Sequence, residues 1–126
     1  MNPLTAPVRG AEHREVAGVH IDLAPAGSGR VKRVIYPAGF RWSKDMKPIS
    51  RTERCMFAHV GFLLQGRVHV EYPDGHTDEF IAPQAVTIRP GHDAAVVGDE
   101  AAILIEFDFQ GETAERFGLA SPPGLA

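Results

Sequence analysis

The sequence predicts a single all-β domain, and three observations predict it. Turn-forming residues punctuate the chain at Pro25, Gly27, Gly29, Pro37, Gly39, Pro48, Gly66, Pro73-Asp74-Gly75, Pro83, Pro90-Gly91 and Gly98. Recurrence roughly every 8–12 residues is the rhythm of a sandwich or barrel of short antiparallel strands. The segments between the turns alternate apolar and polar residues, the period of a strand. The length, 126 residues, leaves room for one core. An antiparallel barrel or a two-sheet roll is the economical architecture.

The elements follow in order. Residues 1–13, "MNPLTAPVRGAEH", carry two prolines and no periodicity, so they read as a flexible lead-in. The domain proper is expected over 14–118, with 119–126 as a C-terminal tail. Strands are predicted at 16–23 ("VAGVHIDL"), 31–36, 56–65, 85–89 and 93–98. In "RVHVEY", Val68, Val70 and Tyr72 share a face opposite Arg67, His69 and Glu71. "PDG" then turns the chain, and "HTDEFI" returns as the hairpin partner. In "AAILIEFDF", Ala101, Ile103, Ile105, Phe107 and Phe109 share a face, with Glu106 and Asp108 on the other. Helical character is confined to "GETAERFGL", and "WSKDMKP" reads as a loop.

Composition narrows the function. A formal charge of −3 offers no footprint for nucleic acid, and the basic residues Arg30, Lys32 and Arg33 read as a solvated strand face. Cys55 is the only cysteine, which rules out an intrachain disulfide and a thiolate cluster within one chain. Among Met56, Phe57 and Ala58 it reads as a small buried hydrophobe. No run approaches a membrane span and no signal-type apolar segment opens the chain, so no membrane partner and a cytoplasmic location are expected.

"HVGFLLQGRVHVEYPDG" followed by "QAVTIRPGHDA" resembles the two motifs of the cupin superfamily, across residues 31 to 109. The first motif runs Gly, five residues, His-x-His, a short gap, Glu, six residues, Gly; the second ends in Pro-x-Gly, two residues, His, three residues, Asn. The Gly66 turn, the hairpin after it and the Pro90-Gly91 corner carry the likeness. It implies a cupin-type jelly-roll β-barrel, and pairing through N-terminal strands into a homodimer. The strand at 16–23 would be the one seeking a partner.

The ligand positions depart from the motif. Counted from Gly39, its histidines fall on Asp45 and Lys47; counted back from Gly66, its glutamate falls on His59. With Pro-x-Gly on Arg89-Pro90-Gly91, the last histidine falls on Ala94. The usual three-histidine, one-glutamate site is therefore missing. By strand alternation His92 faces the same way as Ala94, and His59 the same way as Gly61 and Leu63. Gly61, without a side chain, would leave room for a ligand. His59, His92 and Asp45 then form a two-histidine, one-carboxylate set for a divalent transition metal such as Zn, Fe, Ni or Mn. Each has a plainer reading as well: His59 as a hydrogen-bonded core histidine, His92 as a strand-end residue, Asp45 as a loop carboxylate.

Lys47 facing the interior would favour an anionic ligand over a metal. Trp42 and Phe40 alternate in "GFRWS" and suit either packing or the wall of a pocket for a ring-bearing ligand. Two functional classes follow. One is a small-molecule-binding protein in which His59, His92, Lys47 and Trp42 hold a small anionic or ring-bearing ligand. The other is a metal-dependent dioxygenase or isomerase built on His59, His92 and Asp45. The loss of the usual ligands favours the first.

Overall fold

The computed structural model of the chain describes residues 2–27 and 29–109. The expected helical segment at 111–119 and the tail lie outside the described residues. Among the described residues nine strands and two short helices follow one another: β1 (Glu12–Val16), β2 (Val19–Ala26), β3 (Gly29–Tyr36), α1 (Trp42–Asp45), α2 (Lys47–Ser50), β4 (His59–Gln65), β5 (Arg67–Glu71), β6 (Thr77–Ile81), β7 (Gln84–Ile88), β8 (Asp93–Val96) and β9 (Ala102–Phe109). They form a six-stranded sheet in the order β1-β2-β3-β9-β4-β7 and a three-stranded sheet in the order β6-β5-β8. Every pairing is antiparallel. Val34, Leu63, Val86, Ile88 and Leu104 of the larger sheet pack with Val70 and Val96 of the smaller one in a single core.

The expected strand at 16–23 is two strands. Ala17 and Gly18 both adopt positive φ (50° and 79°), the requirement of a two-residue hairpin turn whose twist matches its strands. The turn reverses the chain, and Glu12 to Val16 pair with Leu23 to Val19. β1 therefore starts two residues before the expected domain boundary. The segment before it is tied to the sheet, because the Arg33 guanidinium donates to the carbonyls of Leu4, at 2.9 Å, and Ala6, at 2.5 Å.

Arg33 also corrects the reading of the basic cluster as a solvated face. It is buried and donates to Asp22 Oδ2 at 2.8 Å, while His13 Nδ1 lies 2.8 Å from Asp22 Oδ1. A buried guanidinium is tolerable because a carboxylate and two carbonyls accept hydrogen bonds from Nη1 and Nη2, while Nε is without a partner among the described residues. The segment read as a loop, "WSKDMKP", instead forms α1 and the start of α2, with Pro48 in the first turn of α2, where its missing N–H costs nothing.

β9 carries the fold's largest departure from simple patterning. Its period is two, as expected, but the face bearing Glu106 is the inner one. Ala102 and Leu104 join the core, and Glu106 beside them is only 4% exposed. On the alternate face Phe107 is exposed, although Ile103 nearer the start of the strand is buried. A charged residue faces outward by default only when no partner inside compensates it, and Glu106 has partners inside.

Candidate metal centre and ligand cavity

Between the sheets lies a cavity of about 390 Å³ with predominantly apolar walls, among them Phe40, Trp42, Leu63, Val86 and Ile88. Its polar groups include Cys55, His59 and His92. One potential ligand atom from each of these three lies within 4.8 Å of the others.

Each side chain is held by local structure. Gly91 takes φ +87°, which turns the chain at the Pro90-Gly91 corner. His92 Nδ1 then reaches the Arg89 carbonyl at 2.6 Å. Since a carbonyl only accepts, Nδ1 is the donor here, and Nε2 is the ring nitrogen left for the cavity. The imidazole is 2% exposed. Cys55 is fastened to the same segment by an isolated bridge: its N–H donates to the His92 carbonyl at 2.8 Å, and its carbonyl accepts from Gly91 and His92. His59 opens β4, and Glu106 comes from β9 opposite Gly61, diagonal to His59 on the inner face. His59 Nδ1 donates to Glu106 Oε1 at 2.5 Å, which turns Nε2 toward Cys55 Sγ at 3.7 Å. Lys32 Nζ stands 3.6 Å from Glu106 Oε2.

Charge is mutually stabilised here. Burial alone would raise the Cys55 thiol, but hydrogen bonds from His59 and His92 bring it down to about 6. Burial alone would lower His59, yet its bonds to Cys55 and Glu106, and their negative charges, push it up to about 9. Tyr36 is pushed well above the usual phenol range by burial and by the charges of Glu106 and Cys55. Thiolate and imidazolium sustain each other, with Glu106 behind the imidazolium.

The donor set fits a transition metal. Zinc bonds of about 2.3 Å to sulfur and 2.0–2.1 Å to nitrogen, at a tetrahedral angle, separate the two ligand atoms by roughly 3.6 Å. The observed Sγ to Nε2 distance is 3.7 Å. A thiolate with two imidazoles suits zinc, copper or iron far better than magnesium or calcium. Both histidines have their second nitrogen anchored, one on a carboxylate and one on a carbonyl, the usual support of metal-bound imidazole.

The residues expected from the sequence divide. His59 and His92 come together, their ring centroids 5.1 Å apart. Trp42 and Phe40 line the cavity wall. Asp45 does not reach the pair: its Oδ2 accepts from the Arg41 N–H at 3.0 Å, capping α1, and lies 3.7 Å from Lys44. Lys47 turns away as well, to Glu53 Oε2 at 2.8 Å on the exposed side of α2. Cys55, rather than Asp45, stands beside the two histidines: it is buried in the core, as expected of a small hydrophobe, and its sulfur also faces two imidazoles.

A signal for it was present. Counting back from His59 through a gap of three residues sets Cys55 on the second-histidine position of the motif; counting forward from Gly39 missed it. Glu106 had no motif to announce it. Gly61 is also corrected, since a Cβ there would lie 1.8 Å from the Ile105 carbonyl oxygen. The room beside it belongs to β9.

No protein-family model matches the chain, and none of the curated proteins does. Solved structures share its fold. A cupin 2 conserved barrel domain protein from Salinispora arenicola gives a TM-score of 0.56 at 16% identity, over 90% of this chain and 93% of its own. A cupin-2 domain protein from Rhodospirillum rubrum gives 0.57 at 15% identity, over 90% and 84%. Hydroxypropylphosphonic acid epoxidase from S. wedmorenis, solved in complex with fosfomycin, gives 0.54 at 10% identity, over 82% of this chain and 58% of that one. The chain has the cupin fold.

Proposed function

We propose that the protein binds a small organic ligand in the cavity between its sheets, closed as a jelly-roll barrel. A divalent transition metal held by Cys55, His59 and His92 would be the polar anchor in the cavity wall. The observation that carries this reading is the convergence of three anchored ligand atoms within 4.8 Å inside an apolar cavity. Three protein ligands leave a fourth position for the bound molecule. When bound, such an ion supplies Lewis acidity to whatever occupies that position.

The chain's own residues do the rest. Glu106 fixes the His59 ring and keeps the proton on Nδ1. The Arg89 carbonyl does the same for His92. The apolar walls exclude water and leave few hydrogen bonds to satisfy, which suits a ligand with an apolar body. His59 and Cys55 would have to give up the proton between Nε2 and Sγ to hold a metal, so loading would release protons.

A metal-dependent enzyme is the second reading, which three protein ligands rather than four would suit, with turnover of a bound ligand as its mark. Self-association as a homodimer is supported by the edge strand β1 and by the exposed Val60 and Phe62 on β4. Elemental analysis of untagged protein tests the main reading. About one metal per chain is expected, lost in Cys55→Ser and in His92→Ala. Metal retained in full by both variants would overturn the ligand set.

A further inference from the structure

We propose that the ligand is an amphiphilic monocarboxylate, an alkyl or aryl body bearing one carboxylate, seated with that carboxylate at Cys55, His59 and His92 in the cavity wall. The inference rests on the metal reading above and names the ligand class for the same site.

The first support is the apolar character of most of the cavity wall, whose polar members beside Trp42 are Lys32, Tyr36, Ser50, Cys55, His59 and His92. Val34, Phe40, Trp42, Leu63, Val86 and Ile88 offer no hydrogen bonds from their side chains to a ligand hydroxyl, apart from the Trp42 indole N–H. A sugar or polyol placed against them would lose its hydration without replacement, at a cost that selects against it. A hydrocarbon or aromatic body meets no such cost. The exposed Phe57 and Ile49, both also lining residues, extend the apolar wall to the surface.

The second support is charge. Around Glu106 stand the Cys55 thiolate, the Lys32 ammonium and the position for a divalent ion. Together the ion and Lys32 exceed Cys55 and Glu106 by one positive charge. The Lys32 side chain is 34% exposed, but Glu106 and His92 are buried, and an excess of one sign beside them is costly unless compensated, as a single carboxylate would do. A dianion would overshoot, and an amine would add to the excess.

The third support is that Lys32 is not used up. Its Nζ is 3.6 Å from Glu106 Oε2, beyond hydrogen-bond length, and that oxygen is buried with no hydrogen-bond partner among the described residues. Lys32 lines the cavity with its donors available, so it can balance Glu106 and still donate to a ligand carboxylate.

The sequence contains one tryptophan, and Trp42 lies in the cavity wall, so its emission reports occupancy directly. Zinc-loaded full-length protein is titrated with octanoate and phenylacetate, and with octanol, octylamine and phenylacetamide as partners of the same body. The carboxylates are expected to change Trp42 emission saturably, with dissociation constants about tenfold or more below those of the neutral and cationic partners, as a charge-assisted hydrogen bond implies. Lys32→Met is expected to weaken octanoate about tenfold with zinc content unchanged. Phenylacetamide binding as tightly as phenylacetate, or octylamine as tightly as octanoate, would overturn the proposal without any variant. A chain that takes up no zinc yet still prefers carboxylates overturns the metal reading and leaves the ligand class standing. A chain that holds zinc and prefers the amide overturns the ligand class alone.

Discussion

Gly61→Ala tests whether the site rests on the close approach of two backbones. A Cβ at residue 61 would lie 1.8 Å from the Ile105 carbonyl oxygen, 2.7 Å from its carbon and 2.8 Å from the Glu106 Cα. All three are backbone atoms, so no side-chain rotation relieves the clash. Ordinary contact begins near 3.5 Å, so β4 and β9 must part by roughly 1.5 Å at the very pair that carries His59 and Glu106. Overpacking costs about 1–3 kcal/mol, and a backbone clash belongs at the upper end, about 3 kcal/mol. With an unfolding entropy of about 2.1 cal/mol/K per residue over 126 residues, that lowers Tm by about 11 °C.

Gly75→Ala is the control. Nothing lies within 4 Å of its Cβ position, but φ is +89°, so only the conformational cost of about 1 kcal/mol applies, about 4 °C. Thermal unfolding followed by circular dichroism reads both. A Gly61→Ala protein melting within about 2 °C of the parent, or above Gly75→Ala, would refute the argument that β9 occupies the space beside Gly61.

Glu106→Gln keeps the shape of the side chain but removes the charge behind His59; metal affinity is expected to fall about 10- to 100-fold in a competition titration, and an unchanged affinity would deny Glu106 its supporting role. The Asp22–Arg33–His13 cluster predicts an acid response. Burial raises Asp22, but hydrogen bonds from His13 and Arg33 outweigh it and hold the carboxyl below its usual range. Its stabilisation is therefore complete above the unfolded value of about 3.9 and is lost as pH falls through the lower folded value. Asp22→Asn should melt lower than the parent at pH 7, with the gap closing at acid pH; a gap independent of pH would contradict the pairing. Excess chelator is expected to lower Tm, and to lower it less in His92→Ala, because a bound ion stabilises only the chain that holds it. An equal drop in both proteins would place the metal elsewhere.

Much of this protein is written locally. Turn residues and alternation locate most of the strands to within a few residues, because a strand's pleat and a turn's φ requirements act over neighbouring positions. The Ala17-Gly18 turn shows the limit, since a positive φ at an alanine is enforced by the pairing of β1 with β2 and leaves no mark in composition. The meeting of His59 and His92 followed from the same alternation applied to two segments.

What needed the tertiary structure is which distant charges meet. Alternation separates Glu106 from Ile105 and Phe107 but does not say which face is inside. That depends on His59 and Lys32, 47 and 74 positions earlier, lying where they can neutralise it. Cys55 meets His92 through a backbone bridge between segments 37 residues apart, which no local pattern shows. Asp45 and Lys47 were drawn away by nearer partners, Arg41 and Glu53. A side chain's period is a property of its own strand. Its partner is a property of the sheet register, and register is decided by the whole core at once.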